Sequence, residues 1–208
     1  MPRKKQQASL SESNGNLGAR PEEILRAVLR RVVLDGADGL TIRGVADEVG
    51  VSTGLILHFY PTKEELLMQA WLYAISLSRM DDRLSSLFGH VKGADYMDAV
   101  YRVLFTDRDP ESPSWAFWLE YWAKAARTPH LREVHSKTVE DARTRDAEHV
   151  REAVAVRQIR ADLDPQLVGD LNRAIIYGLA VGVTLDRESI TNERAVEVAR
   201  FFLSLLKP

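Results

Sequence analysis

Cysteine is absent from all 208 residues. That excludes disulfide staples, thiolate zinc sites, iron–sulfur clusters and thiol nucleophiles, and it fits a reducing compartment. Long hydrophobic runs are missing as well: the longest apolar stretches fall short of the roughly 20 residues a membrane-spanning helix needs. The first twenty residues carry Arg3, Lys4 and Lys5 with no apolar run behind them, which is not a secretory signal. Phosphate loops, G-x-S-x-G elbows and paired-carboxylate motifs are missing too. His130, His135 and His149 sit near carboxylates, but His130 and His135 are five apart and off one helix face, which is poor metal-ligand spacing. The sequence therefore predicts a soluble, cytoplasmic, non-membrane protein that is not an enzyme and carries no cofactor or metal.

No excess of one charge sign marks the whole chain, with 28 Lys plus Arg against 30 Asp plus Glu. Residues 1–63 hold nine basic and seven acidic side chains, so the N-terminal part is slightly positive and the remainder slightly negative. Hydrophobic residues make up 45% of the chain, an ordinary globular share at a length that buries a substantial core.

Residues 1–20 are polar and predict a flexible arm. Pro21, Glu22 and Glu23 open a first helix with one apolar face, from Ile24 to Val33, and Gly36 and Gly39 stop it. A short helix follows from Thr41, its N-cap, to about Val49. Another runs from Ser52 to about Tyr60, with Gly50-Val51 as the sharp turn between them. Pro61 ends it, and Thr62 with Glu65 forms a capping box for a long helix to about Phe88. Further helices are expected around Tyr96–Leu104, from Ser112-Pro113 through Arg127, from Pro129 to about Gln158, from Asp164-Pro165 to about Leu185, and from Thr191 to about Leu206. The expectation is an all-α chain of nine helices.

The sharpest signal is TIRGVADEVGVSTGLILHFYPTKEELL, residues 41–67. Two short helices around a glycine turn make a helix-turn-helix. Val45, Ala46, Val49, Val51 and Ile56 supply packing, which leaves Arg43, Thr53, His58 and Lys63 on the outer side. A helix of this length fits a major groove, its first residues aimed at base edges.

This stretch resembles the DNA-binding domain of the TetR family of bacterial transcriptional regulators. Thr41, Val45, Ala46, Gly50, Val51, Ser52, Gly54, Ile56, Lys63, Glu64 and Leu66 match the family motif position by position. The helix count and length match too, and the C-terminal part is broadly similar to the choline-responsive repressor subgroup. The resemblance implies a helix-turn-helix domain over 21–65, after the arm, and an effector-binding and dimerisation domain over 66–208. It implies a ligand-responsive repressor that binds a palindromic double-stranded DNA operator as a homodimer. The alternative is a helical protein-interaction or small-molecule-binding module without DNA contact.

Carried onto this chain, the DNA-binding residues are Thr41, Arg43, Ser52, Thr53, Gly54, His58, Phe59 and Lys63, with hydroxyls, backbone N–H groups and Lys63 serving phosphates. Two positions depart from the family. Leu57 replaces a phosphate-touching tyrosine and Phe59 lacks a hydroxyl; His58 and Tyr60 are the candidates to compensate, although Tyr60 stands where the family usually has a core phenylalanine. Arg3, Lys4 and Lys5 are candidates for a minor groove.

Trp115, Trp118 and Trp122, with Phe117 and Tyr121, nearly encircle one helix, so that helix is expected to be largely buried. Aromatics at such spacing form plain core or wall an effector cavity. The family likeness favours the cavity, with Trp115, Trp118, Glu120, Tyr121 and Trp122 facing an unknown small molecule and Glu120 as the charge for a cationic one. The last two helices carry the candidate dimer interface: Leu171, Ile175, Gly178, Leu179, Gly182, Val198 and Phe202. Gly178 and Gly182 stand one turn apart and leave room for close helix approach.

Overall fold

A computed structural model describes residues 21–78, 80–108 and 112–208. The arm expected over residues 1–20, with Arg3, Lys4 and Lys5, lies outside the described residues. Every regular element within them is an α-helix: α1 Pro21–Gly39, α2 Ile42–Val49, α3 Thr53–Phe59, α4 Lys63–Ser78, α5 Met80–Phe88, α6 Gly93–Phe105, α7 Trp115–Ala125, α8 Pro129–Ala155, α9 Pro165–Leu185 and α10 Asn192–Leu205. The long helix expected from Thr62 to Phe88 corresponds to α4 and α5, which flank undescribed residue 79. Counting those two as one gives nine elements among the described residues.

Local chemistry explains the boundaries. Gly36 adopts φ 73° and ψ 161° and breaks α1 near its end. Thr62 Oγ1 accepts from the Glu65 amide at 3.0 Å, while the Glu65 carboxylate accepts from Gln69 one turn on. The start of α7 falls two residues later than expected, because Ser114 rather than Ser112 is the N-cap, accepting from the Phe117 amide at 3.2 Å. Arg157, at φ 60°, closes α8 at Ala155, before the expected Gln158.

The chain divides into two compact units, the first ending at Ala70 and the second running from Trp71 to Pro208. The division falls inside α4, five residues beyond the expected 65/66 boundary. In the first unit, Ile24, Val28 and Val32 recur every four residues on α1 and are fully buried, together with Val45, Ile56 and Leu66. In the second, α6 is the central element. Met97 packs with Val150 and Val168, Tyr101 and Phe105 pack with Leu179 and Ala195, and Tyr96 and Val100 pack with Leu84. Paired hydrogen bonds clamp the outside: Arg143 to Asp170 at 2.6 and 2.7 Å, and Arg200 to Asp98 at 2.6 and 3.0 Å.

One helix overturns the expectation on apolar length. By length and composition α9 is long and apolar enough to cross a membrane. Its polar groups are engaged inside the second unit, however. Arg173 pairs with Asp146, Asp170 with Arg143, and buried Asn172 accepts from the Tyr101 hydroxyl. The apolar surplus of α9 lies on its outward face instead.

Gly93 opens α6 at φ 58°, and a Cβ there would stand 2.6 Å from Gln158 Oε1 and 3.1 Å from Ala153 Cα. Gly89, at φ 69°, has nothing among the described residues within 4 Å of that position. Gly89→Ala is thus expected to cost only the left-handed penalty of about 1–2 kcal/mol. Gly93→Ala adds a backbone clash and should lower the thermal midpoint further. Thermal unfolding followed by circular dichroism checks this; equal losses would show that close approach does not constrain Gly93.

Candidate nucleic-acid interface and effector cavity

The helix-turn-helix is built by three local devices. Thr41 Oγ1 accepts from the Gly44 amide at 3.0 Å and fixes the start of α2. Gly50 takes the left-handed conformation at φ 76°, and both its amide and that of Val51 return to the Ala46 carbonyl, at 2.9 and 3.0 Å. Ser52 Oγ then accepts from the Leu55 amide at 3.2 Å and starts α3. Each capping hydroxyl accepts from backbone and keeps its own O–H for an outside acceptor.

Buried Ile56 anchors α3 inward, opposite fully buried Val45 on α2. The helical turn then sets Gly54, Leu57 and His58 away from Ile56, and Thr53 and Phe59 stand at the two ends of the helix, all five exposed. Arg43 reaches into solvent with its side chain 86% exposed and only a loose 3.8 Å contact to Asp47. Nearby acids are neutralised, Glu48 by Arg30 at 2.7 Å and Asp35 by Arg31 at 2.5 Å. Lys63 donates one N–H to the Asp38 carbonyl at 2.7 Å, so its ammonium is tied at one point with two donors left. Tyr60 takes the core position and not the compensating one. It is buried with its hydroxyl 3.5 Å from the Pro21 carbonyl, and burial raises its pKa, so it does not replace a missing phosphate contact.

In the second unit, a cavity of about 610 Å³ opens among α6, α7, α8 and α9, with Ile75 of α4 and Met80 and Asp82 of α5 also lining it. That is within the usual range for small-molecule sites. Trp115, Trp118, Tyr121 and Trp122 line it, but Glu120 does not. Glu120 is two residues from both Trp118 and Trp122, roughly 200° around the helix, and so faces elsewhere. Nor is α7 buried all round. Phe117, Tyr121 and Ala125 form its buried stripe, while the three tryptophans are only half-buried.

The cavity's charged groups were not found from the sequence, because they come from distant elements: Asp82, Asp141, Arg145, Asp146 and Arg173. Asp146 and Arg173 form an ion pair. Burial raises the Asp146 pKa, and the neighbouring Arg173 and Arg145 only partly offset it. Tyr121 is pushed up to about 12 by burial and by Tyr177, and its hydroxyl and the Trp115 indole N–H have no hydrogen-bond partner among the described residues. His135, edge-on to Tyr121, is lowered by burial and by Arg173.

The candidate interface residues separate into two groups. Leu171 and Gly178 are exposed on α9. Leu179 is buried in its own core, Ile175 and Val198 pack against that cluster, and Phe202 packs against the Met97 cluster. A Cβ on Gly182 would stand 3.1 Å from Ile190, so its smallness serves contact within the chain. Leu167 and Leu205, apolar positions of the same two helices in the sequence pattern, are exposed as well, and so are Val181, Leu185 and Phe201, which that pattern did not select.

The first unit is a capped helix-turn-helix and the second a helical domain around a ligand-sized cavity: the class is a helix-turn-helix regulator. Residues 24–70 match the tetR family of bacterial regulatory proteins, and residues 93–207 match the C-terminal domain of BetI-type transcriptional repressors. The chain belongs to the TetR family of bacterial regulatory proteins, with a C-terminal domain of the BetI type. Regulators of this family bind DNA operators and small-molecule effectors, typically as dimers.

Among curated relatives, the HTH-type transcriptional regulator BetI of Serratia proteamaculans is 31% identical over 114 residues, 54% of this chain and 57% of the relative. That match spans little more than half of the relative's length. BetI of Pseudomonas aeruginosa is 26% identical over 187 residues, 88% of this chain and 91% of its own. Similar folds include a putative transcriptional regulator from Saccharomonospora viridis in complex with choline (TM-score 0.79, 18% identity, 88% of this chain and 95% of that one). A TetR transcription regulator from Haloarcula marismortui is another (TM-score 0.77, 20% identity, 90% and 98%).

His135 generates a prediction about pH. Its lowered pKa means the folded chain takes up that proton less readily than the unfolded one, so acidification favours unfolding. The loss begins as pH falls below the ordinary histidine value of about 6.5 and continues toward the lower folded-state value. His135→Gln should therefore show a shallower drop in thermal midpoint between about pH 7 and pH 5 than wild type. Parallel profiles would contradict this origin.

Proposed function

We propose that the protein represses transcription in the cytoplasm by seating two copies of α3 in successive major grooves of a palindromic operator. The observation that carries this is the outward face of α3. Thr53, Gly54, Leu57 and His58 are exposed on a helix pinned by two caps, a left-handed glycine and buried Ile56. Thr41, Ser52, Arg43 and Lys63 are the phosphate-contact residues of this reading, and Phe59 packs beside His58 at the rim.

Dimerisation is assigned to the outward stripe of α9 with Phe201 and Leu205 of α10. One seven-residue recognition helix reads few bases, and two related half-sites roughly 34–36 Å apart supply the selectivity. The effector is assigned to the tryptophan-lined cavity and to the class of small organic cations. Aromatic faces attract such groups, Asp82 and Asp141 add negative charge, and the similar Saccharomonospora viridis protein holds choline. Ligand binding would favour a half-site spacing that no longer fits the grooves.

Selection from a random duplex pool tests this reading. Two-fold symmetric sites are expected, with affinity that falls with salt. Lys63→Ala should weaken all sequences alike and reduce the salt slope by about one. Choline, as the probe cation, should weaken operator binding in wild type and not in Trp118→Ala. Recovery of no preferred sequence, with indifference to salt and to Lys63, would favour an interaction module. Operator binding that choline leaves unchanged would remove the cationic effector.

A further inference from the structure

The cavity has a neighbour. A second depression of about 500 Å³ lies against it, and Trp122, His135 and Tyr177 line both. Its far wall includes Gly178 and Val181, two members of the outward apolar stripe of α9. That stripe runs Leu167, Leu171, Ala174, Gly178, Val181, Leu185, with exposed residues alternating four and three apart along the whole helix. It is the spacing of a seam that seats a second helix. Gly178 stands mid-stripe with nothing among the described residues within 4 Å of a would-be Cβ, so the space beside it is open to a partner.

We propose that this depression is a second lobe of the effector site, closed only when a second copy of this chain covers the α9 stripe. The inference rests on the dimer reading above. Trp122, His135 and Tyr177 then form a partition: the cationic head of an organic ligand sits in the aromatic cavity, and an alkyl or aryl portion passes them toward the seam. Ligand occupancy and the contact between protomers press on the same three side chains, which couples effector to half-site spacing through Tyr177, one residue from Gly178.

Solvent quenching of tryptophan by acrylamide tests the closure without a ligand. Leu171→Glu with Phe201→Glu disrupts the seam, and neither residue lines either lobe. Light scattering verifies the monomer and circular dichroism its fold; Ala174→Glu repeats the test should the double variant not fold. Monomerisation should raise the quenching constant by about twofold as the half-buried Trp122 indole opens to water. The same substitutions in a Trp122→Phe background should leave quenching unchanged. Unchanged quenching in a verified, folded monomer would overturn the shared lobe. A variant that stays dimeric would contradict the dimer reading itself.

A second inference stands on α3. Leu57 is 43% exposed one turn after Thr53, on the face assigned to the groove. Its side chain offers no donor to a phosphate; what it offers a base edge is apolar contact with the thymine C5-methyl. We infer that Leu57 selects thymine at one position of each half-site. With a selected operator, replacing thymines one symmetric pair at a time by deoxyuridine removes only methyl groups. One pair should weaken wild type by about fourfold per methyl, and Leu57→Ala should be indifferent to it with its salt slope intact. Absence of any uracil-sensitive pair, or its persistence in Leu57→Ala, would overturn this assignment. Failure to select any site would contradict the DNA reading instead.

Discussion

The left-handed turn at Gly50 is the constraint on which the first unit depends. It lets α2 end and α3 begin within three residues, and it places Ile56 inward opposite Val45. Once Ile56 is buried, helical geometry turns Gly54, Leu57 and His58 away from it, and Thr53 stands exposed at the helix start. A Cβ at position 50 would meet no atom of the described residues within 4 Å, so the requirement is conformational rather than steric. The reading face therefore follows from one backbone conformation and one buried side chain.

The second unit divides labour between the faces of one helix. Inward, α9 holds Asn172 to Tyr101 and Arg173 to Asp146, a polar arrangement that fixes register among α6, α8 and α9. Outward, it shows an uninterrupted apolar stripe. Neither face explains the composition of α9 alone, which is why the helix carries enough apolar residues to pass for a membrane span while its charged residues are all paired.

Much of this was legible in the sequence where the signals are local. Caps at Thr41, Ser52, Asp164 and Thr191, the Gly50 turn and the Pro61 stop are short-range chemistry, and the helices start where those residues stand. The cavity was half legible. Tryptophan spacing placed Trp115, Trp118 and Trp122 on one wall, yet Glu120 lay on the wrong side of the helix. The charged groups arrive from α5, α8 and α9, which only tertiary packing brings together. The interface was blurred for a related reason. Periodicity picks apolar positions without saying which neighbour buries them, so Leu179 and Gly182 serve their own chain while Val181 and Phe201 face out.

The most direct measurement is backbone amide NMR of the dimer as duplex DNA is added at low ionic strength. Displacement of the Thr53, Gly54, Leu57 and His58 signals, with those of the α9 stripe unmoved, is what this account predicts. Signals on α3 that stay in place at saturating duplex would contradict it.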